Sequence, residues 1–211
     1  MNFNDLTKSY APEGLRRQDL KDHPHDQLLQ WFEEAIKGNV EEVNAMSLAT
    51  ATTDGKPSCR TVLLKQLDKR GLVFYTNYES RKSKELMENP YAMATFYWPE
   101  QMRQICIEGQ VEKISGEASG TYFGTRPRGN QIGAWASRQD QIIASREILE
   151  KQFAKMEEKF QDQEVPRPSF WGGFRLIPTR YEFWQGGKDR LHNRFQYTQE
   201  HDTWKIERLY P

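Results

Sequence analysis

The sequence predicts an α+β protein: an antiparallel β-barrel, closed or split, with flanking helices. Three observations carry that reading. Short apolar, β-compatible runs recur along the chain and are joined by turn signals, the spacing of an antiparallel barrel. Helical segments precede the strands and return as a block before the last ones. At 211 residues, with no internal repeat or low-complexity tract, the chain suits one domain or one plus an extension.

The composition excludes several classes. Lys+Arg and Asp+Glu number 30 each, so the net charge is zero. A general nucleic-acid binder would show a basic excess, so local basic clusters read as sites. The 2 cysteines, Cys59 and Cys106, form neither a disulfide framework nor a metal spacing, and the 4 histidines are scattered. No metal is expected. The start, Met-Asn-Phe-Asn-Asp, has no charged segment followed by an apolar core, and no stretch of about 18 apolar residues exists. The expectation is a cytoplasmic protein away from membranes and nucleic acid.

Taken in order, residues 1–24 are polar and carry Pro12, Gly14 and Pro24, which reads as a mobile arm before a domain of residues 25–211. Leu28, Trp31, Phe32, Ala35 and Ile36 then recur at helical spacing over 26–37, with Gly38 as a C-terminal cap. Residues 45–53 are small and β-compatible, and Asp54-Gly55 signals a hairpin. The returning strand holds Arg60, Thr61, Val62, Leu63, Leu64 and Lys65. Alternation puts Arg60 and Lys65 on opposite faces, suiting two separate anions. Gly71 opens another strand, ending at Tyr75 and Thr76.

Ser80 reads as the N-cap of a helix through Glu88, stopped by Asn89-Pro90. Arg81 and Lys82 occupy its first turn, the wrong end for cations beside the helix dipole. A bound phosphate reverses that argument, because it draws both side chains and the free N–H groups. Residues 91–98 form an aromatic strand ended by Pro99, and 102–114 its long partner. Residues 117–123 read helical, with Tyr122 and Arg126 four apart and Pro127 making Arg126 the last helical residue. A phenol and a guanidinium there can clamp a phosphate. Residues 142–160 form a long charged amphipathic helix, 171–174 open the last sheet segment, and 203–209 close the chain as a strand.

The most telling stretch is 184–195, Trp-Gln-Gly-Gly-Lys-Asp-Arg-Leu-His-Asn-Arg-Phe. Gly186-Gly187 supplies a tight turn. If the chain runs extended beyond it, Arg190, His192 and Arg194 share one face. Two arginines about 7 Å apart repel by roughly 2 kcal/mol at an effective dielectric near 20. A solvated edge strand tolerates that cost, and an anion site puts it to use.

These motifs resemble the pyridoxine/pyridoxamine 5'-phosphate oxidases, FMN enzymes of the split β-barrel class. The resemblance runs from Gly14 to Leu209 and is most specific over 60–65, 126–135, 168–174 and 184–195. It implies oxidation of pyridoxamine 5'-phosphate and pyridoxine 5'-phosphate to pyridoxal 5'-phosphate, with O2 as electron acceptor and hydrogen peroxide as by-product. Arg60, Arg81 and Lys82 would hold the FMN phosphate, with residues 60–65, Tyr75 and Thr76 along the flavin. Gln104, Gln139, Trp184 and Arg194 would place the ring. Lys65, Tyr122, Arg126 and Asn130 would anchor the substrate phosphate. Arg190, Leu191 and His192 would sit over the pyridine, with Arg190 and His192 as the catalytic pair. Tyr10 of the arm would help cover the substrate. A homodimer with the site shared between subunits is implied. The chain departs from the family pattern at Thr7, where an arginine can occur, at Asn130, where a serine is usual, and at Asp140, where serine is frequent. A carboxylate beside a flavin phosphate is unfavourable, so Asp140 falls outside the expected set. Two other readings are a split-barrel flavin reductase with a nicotinamide or deazaflavin donor, and a non-catalytic pyridoxal phosphate carrier.

Overall fold

The computed structural model describes residues 14–211; Thr7 and Tyr10 lie outside them. Within the expected arm, a 3-10 turn spans Arg17–Asp19, and Leu15 and Leu20 are buried in the main core. Helix α1 (Pro24–Lys37) starts at a proline whose missing N–H costs nothing at that position. His23 caps it, its Nδ1 accepting the His25 N–H at 3.2 Å. Gly38 ends it with φ −79°, so the cap does not use the left-handed conformation that glycine permits.

The strands are β1 (Ala45–Ala51), β2 (Pro57–Leu63), β3 (Gln66–Asp68), β4 (Gly71–Asn77), β5 (Tyr91–Trp98), β6 (Arg103–Lys113), β7 (Trp171–Gln185), β8 (Asn193–Glu200) and β9 (Thr203–Leu209). All pair antiparallel; seven follow the order β2-β1-β5-β6-β7-β4-β3, and β8 pairs with β7 and with β9. The two ends of that order, β2 and β3, are joined by Leu64 and Lys65 alone, so the sheet must curl until its edges meet. The Leu64 N–H reaches Asn44 O on one edge, and the Lys65 N–H reaches Val73 O on the other.

Strand β7 makes the barrel split. It runs beside β6 along most of its length, whereas its other side pairs first with β4 and then, from Arg180, with β8. Pro178 lies in the gap between those two partners, where an absent N–H leaves no ladder bond unmade. Opposite it the β6–β7 register slips at Glu108/Gly109. A Cβ on Gly109 would overlap the Ile177 carbonyl, so the bulge needs glycine.

The barrel interior holds Leu48, Phe74, Phe96, Ile105 and Phe183, all fully buried. One end is closed by α1, whose Trp31 meets Phe183 edge-on at 5.2 Å and whose Phe32 meets Phe96 at 5.1 Å. A second core lies under α3 (Gly116–Gly124), α4 (Arg128–Ala136) and α5 (Arg146–Lys159), built from Phe123, Ile132, Phe160, Val165 and Trp171. Helix α2 (Arg81–Glu88) lies against β1. Among the described residues, no helix is long and apolar enough to cross a membrane.

Two local expectations fail, and one helix was not expected. Helix α3 stops at Gly124 with Thr125 as its cap, so Arg126 lies beyond the helix rather than at its last position. Pro127 instead caps α4, a helix that its glycines, Gly129 and Gly133, conceal from a propensity reading. The helix expected over 142–160 begins only at Arg146, and Ile142 before it is fully exposed.

Candidate functional site

A groove of ≈ 1240 Å³ is bounded by β2, the end of β4, the start of α2 and the α3–α4 corner. It exceeds the usual volume of a single small-molecule site, about 300–1,000 Å³, and has room for two ligands.

One cluster in the groove is cationic and supplied by β2 and α2. Arg60 is fixed by bonds from Nη1 to Leu48 O at 3.0 Å and to Thr50 Oγ1 at 2.7 Å. Its Nη2 donates to Ser58 Oγ and lies 3.5 Å from Glu85 Oε2. Glu85 is buried. Its Oε2 also accepts from Thr50 Oγ1 and Ser58 Oγ, each at 2.5 Å, and its Oε1 accepts from Arg81 Nε at 2.8 Å. Burial alone would raise the Glu85 pKa. The bonds from Ser58, Thr50 and Arg81, with the Arg81 charge, outweigh it and bring the group down to about 2. Glu85 thus holds two arginines at the groove. The spacing of Arg81 and Glu85, four apart on a helix, is the one sequence signal for it.

Lys82 is buried beside them. Its ammonium donates to Thr76 Oγ1 at 3.3 Å, and Thr76 Oγ1 donates to Gln139 Oε1 at 3.3 Å. Desolvation lowers the Lys82 pKa, and the nearby Asp140 charge works against that. In the first turn of α2 the Arg81 N–H, which has no acceptor within the helix, donates to Asp140 Oδ2 at 2.8 Å.

The second cluster is aromatic with one cation. Tyr75, Tyr122 and Trp171 stack, with Tyr75 centred 3.9 Å from Tyr122 and 5.4 Å from Trp171. The Arg126 guanidinium lies 4.6 Å over Trp171. Its Nη1 is buried without a hydrogen-bond partner among the described residues. Burial lowers the Arg126 pKa. An orphaned buried guanidinium nitrogen facing a groove suits an incoming anion, because leaving it unmet costs about 1–3 kcal/mol. Trp171, unassigned from sequence, is the platform that positions it.

The groove takes in Arg60, Thr61, Val62, Leu63, Lys65, Tyr75, Thr76, Arg81, Lys82, Tyr122, Arg126, Asn130 and Gln139 of the expected set. It does not take in Leu64, which is buried. Arg60 and Lys65 were expected on opposite faces, yet both line this one groove. The reason is that the groove runs along β2 at the end of the sheet order and takes in residues 58–63 consecutively, so both faces of the strand border it.

Gln104, Trp184 and Arg194 lie apart from the groove, across β6, β7 and β8, and Arg190, Leu191 and His192 lie in the turn between β7 and β8. Gln104 pairs with Trp184, and Trp184 with Arg194, so the three form a row across neighbouring strands. Within one chain, then, the positive side chains do not all converge. Arg194 is bound by Glu182 through bonds of 2.7 and 3.0 Å and also donates to Tyr210 O, so it is a paired cation.

Nor do Arg190, His192 and Arg194 share the face of one extended strand. Residues Lys188–Arg190 form a 3-10 turn, Asp189 and Arg190 have φ of 55° and 64°, and β8 starts only at Asn193. Gly187 allows the turn, since a Cβ there would overlap the Leu191 carbonyl. Its N–H donates to His192 Nδ1 at 3.1 Å, which places the proton of neutral His192 on Nε2. The imidazole packs on Trp184 at 4.7 Å. Desolvation, then the charges of Arg190 and Arg194, lower the His192 pKa and favour the neutral ring.

Residues 32–160 match the family model described as pyridoxamine 5'-phosphate oxidase, and residues 171–211 match the pyridoxine 5'-phosphate oxidase C-terminal dimerisation region. A protein of Crocosphaera subtropica named pyridoxine/pyridoxamine 5'-phosphate oxidase is 50% identical over 214 residues, covering 100% of both chains. One of the same name from Rubrobacter xylanophilus is 51% identical over 206 residues, covering 98% of this chain and 95% of its own. Among solved structures, PhzG from Burkholderia lata, in complex with tetrahydrophenazine-1-carboxylic acid, superposes with a TM-score of 0.87 at 34% identity, covering 92% of this chain and 95% of its own. An FMN-binding protein from Nostoc punctiforme shares the fold, with a TM-score of 0.71 at 17% identity, covering 91% of this chain and 100% of its own.

Proposed function

The chain belongs to the pyridoxamine 5'-phosphate oxidase family, and from that premise we propose that it oxidises pyridoxamine 5'-phosphate and pyridoxine 5'-phosphate to pyridoxal 5'-phosphate, with FMN as cofactor and O2 as electron acceptor. The observation that carries this reading is the single groove with two separate anion-seeking clusters, one for each phosphorylated ligand. Arg60, Arg81 and Lys82 hold the FMN phosphate, and residues 61–63, Tyr75, Thr76 and Gln139 line the flavin. Lys65, Tyr122, Arg126 and Asn130 take the substrate phosphate, with Arg126 supplying the nitrogen that has no partner among the described residues.

When bound, FMN supplies the hydride acceptor for the substrate C4′ carbon and passes two electrons to O2, giving hydrogen peroxide. The chain's own groups bind and orient the two ligands. Arg190 cannot act as a base, because a guanidinium stays protonated above about pH 12. Neutral His192 presents Nε2–H as a donor, so it orients substrate rather than removing a proton. The alcohol or amine would give its proton to solvent as it loses the hydride, and in the amine case water would then replace the nitrogen and release ammonia.

The row of Gln104, Trp184 and Arg194, with Arg190 and His192 beside it, stands outside the groove of its own chain. It carries the other half of the site for a second copy, and the match of residues 171–211 to a dimerisation region supports a homodimer built this way. Gly14 abuts the Asn193 side chain. The two cysteines are free, in keeping with a reducing cytoplasm.

The test is to mix the purified yellow protein with pyridoxamine 5'-phosphate without oxygen and record the flavin absorbance. Bleaching, with recovery and peroxide on admitting oxygen, is expected. An unchanged spectrum overturns the reading.

A further inference from the structure

We propose that Asp140 is a displaceable counter-ion seated where the FMN phosphate binds, so that the loop after α4 sets the cofactor affinity of this chain. The inference rests on the FMN reading above and concerns a residue outside the expected binding set. Asp140 Oδ2 accepts the Arg81 N–H at 2.8 Å and stands 3.9 Å from Lys82 Nζ. Those are two of the donors a phosphate at the start of α2 would use. The carboxylate and the phosphate cannot share them, and at close range they repel.

Two carboxylates face the three cations here, and they differ in how firmly they are held. Glu85 is 4% exposed and accepts from Thr50, Ser58, Arg60 and Arg81. Asp140 is 45% exposed, sits in the loop between α4 and α5, and has a backbone φ of 67°. Withdrawing it leaves Glu85 in place. The charges decide the same way. Arg60, Arg81 and Lys82 against Glu85 and Asp140 sum to one positive charge; without Asp140 they sum to two. A phosphate monoester carries about −1.5 to −2 near neutral pH, so the seat matches it only once Asp140 has moved out. Gln139, the residue before Asp140, is bonded through Thr76 to Lys82 of the same cluster.

The population with Asp140 seated lowers the apparent affinity by the fraction that must first open. The test uses full-chain protein loaded with FMN, and separately with riboflavin, which lacks the phosphate. Each form is diluted, and the rise of free-flavin fluorescence gives the dissociation constant. Asp140→Asn keeps a capping acceptor for the Arg81 N–H, and Asp140→Ser keeps a hydroxyl, so both variants retain a reason to fold. The expected result is FMN binding tightened roughly threefold to tenfold in both variants, with riboflavin binding unchanged. Unchanged or weaker FMN binding, or an equal gain for riboflavin, would overturn the proposal. Failure of the unsubstituted protein to hold FMN at all would overturn the cofactor reading instead.

Discussion

Glu85→Gln removes the fixed charge beneath the groove while keeping the side chain's shape. In the structure one Glu85 oxygen accepts from Thr50 and Ser58, and the other from Arg81. Glutamine has one acceptor oxygen, and its NH2 must face donors on the other side. The size of the loss follows from the pKa. The carboxyl sits at about 2 against an ordinary 4.5. At about 1.4 kcal/mol per pH unit, that difference is worth on the order of 3 kcal/mol. For a chain of this size each kcal/mol moves Tm by about 2–4 °C, so the variant should melt roughly 6–12 °C lower near neutral pH. The folded pKa is depressed, so this stability is complete above pH 4.5 and drains away as pH falls towards 2. Urea unfolding of both proteins at pH 7, 5, 4 and 3 checks it. The gap between them should be widest at pH 7 and 5 and should narrow towards pH 3. A variant within about 0.5 kcal/mol of the parent at pH 7, the scatter of ordinary surface changes, or a gap indifferent to pH, would refute the reasoning.

Other outcomes follow from the same geometry. Arg126→Met keeps a side chain on Trp171 but loses the charge, so KM for pyridoxamine 5'-phosphate should rise about 10- to 100-fold with FMN retention unaltered; a change below about threefold would remove Arg126 from the substrate site. His192→Ala should reduce turnover far more than flavin retention, and loss of flavin with normal turnover after reconstitution would contradict the role. In the parent enzyme the His192 pKa is lowered from 6.5, so its protonation should depress kcat/KM only on the acid side of that value; a limb assigned to His192 above 6.5 would oppose it. Gly187→Ala should disrupt the turn holding Arg190 and cut activity more than tenfold, because the added carbon meets the Leu191 carbonyl. Sedimentation of the FMN-loaded protein should give a dimer, and an active loaded monomer would rule out the shared site.

Local order was legible in the residues. The aromatic run over 91–98 and the closing run over 203–209 are strands with those bounds, and the apolar spacing over 26–37 is α1, begun two residues earlier by Pro24. Arg81 and Lys82 at a helix start pointed to an anion by the sign of the dipole, and both line the groove. Periodicity describes one element at a time, and it fails where a contact joins distant ones. Lys65 shares a groove with Arg60 because the groove follows the β2 edge, bordered by both faces of the strand, against the distant α2 and the α3–α4 corner. Arg190 leaves the extended conformation because the turn at Gly187 curls back on Leu191. Trp171 under Arg126, Glu85 beside Arg60 and Asp140 on the Arg81 N–H all join residues far apart in the chain. By itself, the sequence determined which segments are strands or helices and which cations seek an anion, because these depend on neighbours within a few positions. Only the tertiary structure decided which charges meet, which are already paired and which carboxylate stands in the way, because closing the sheet sets those distances.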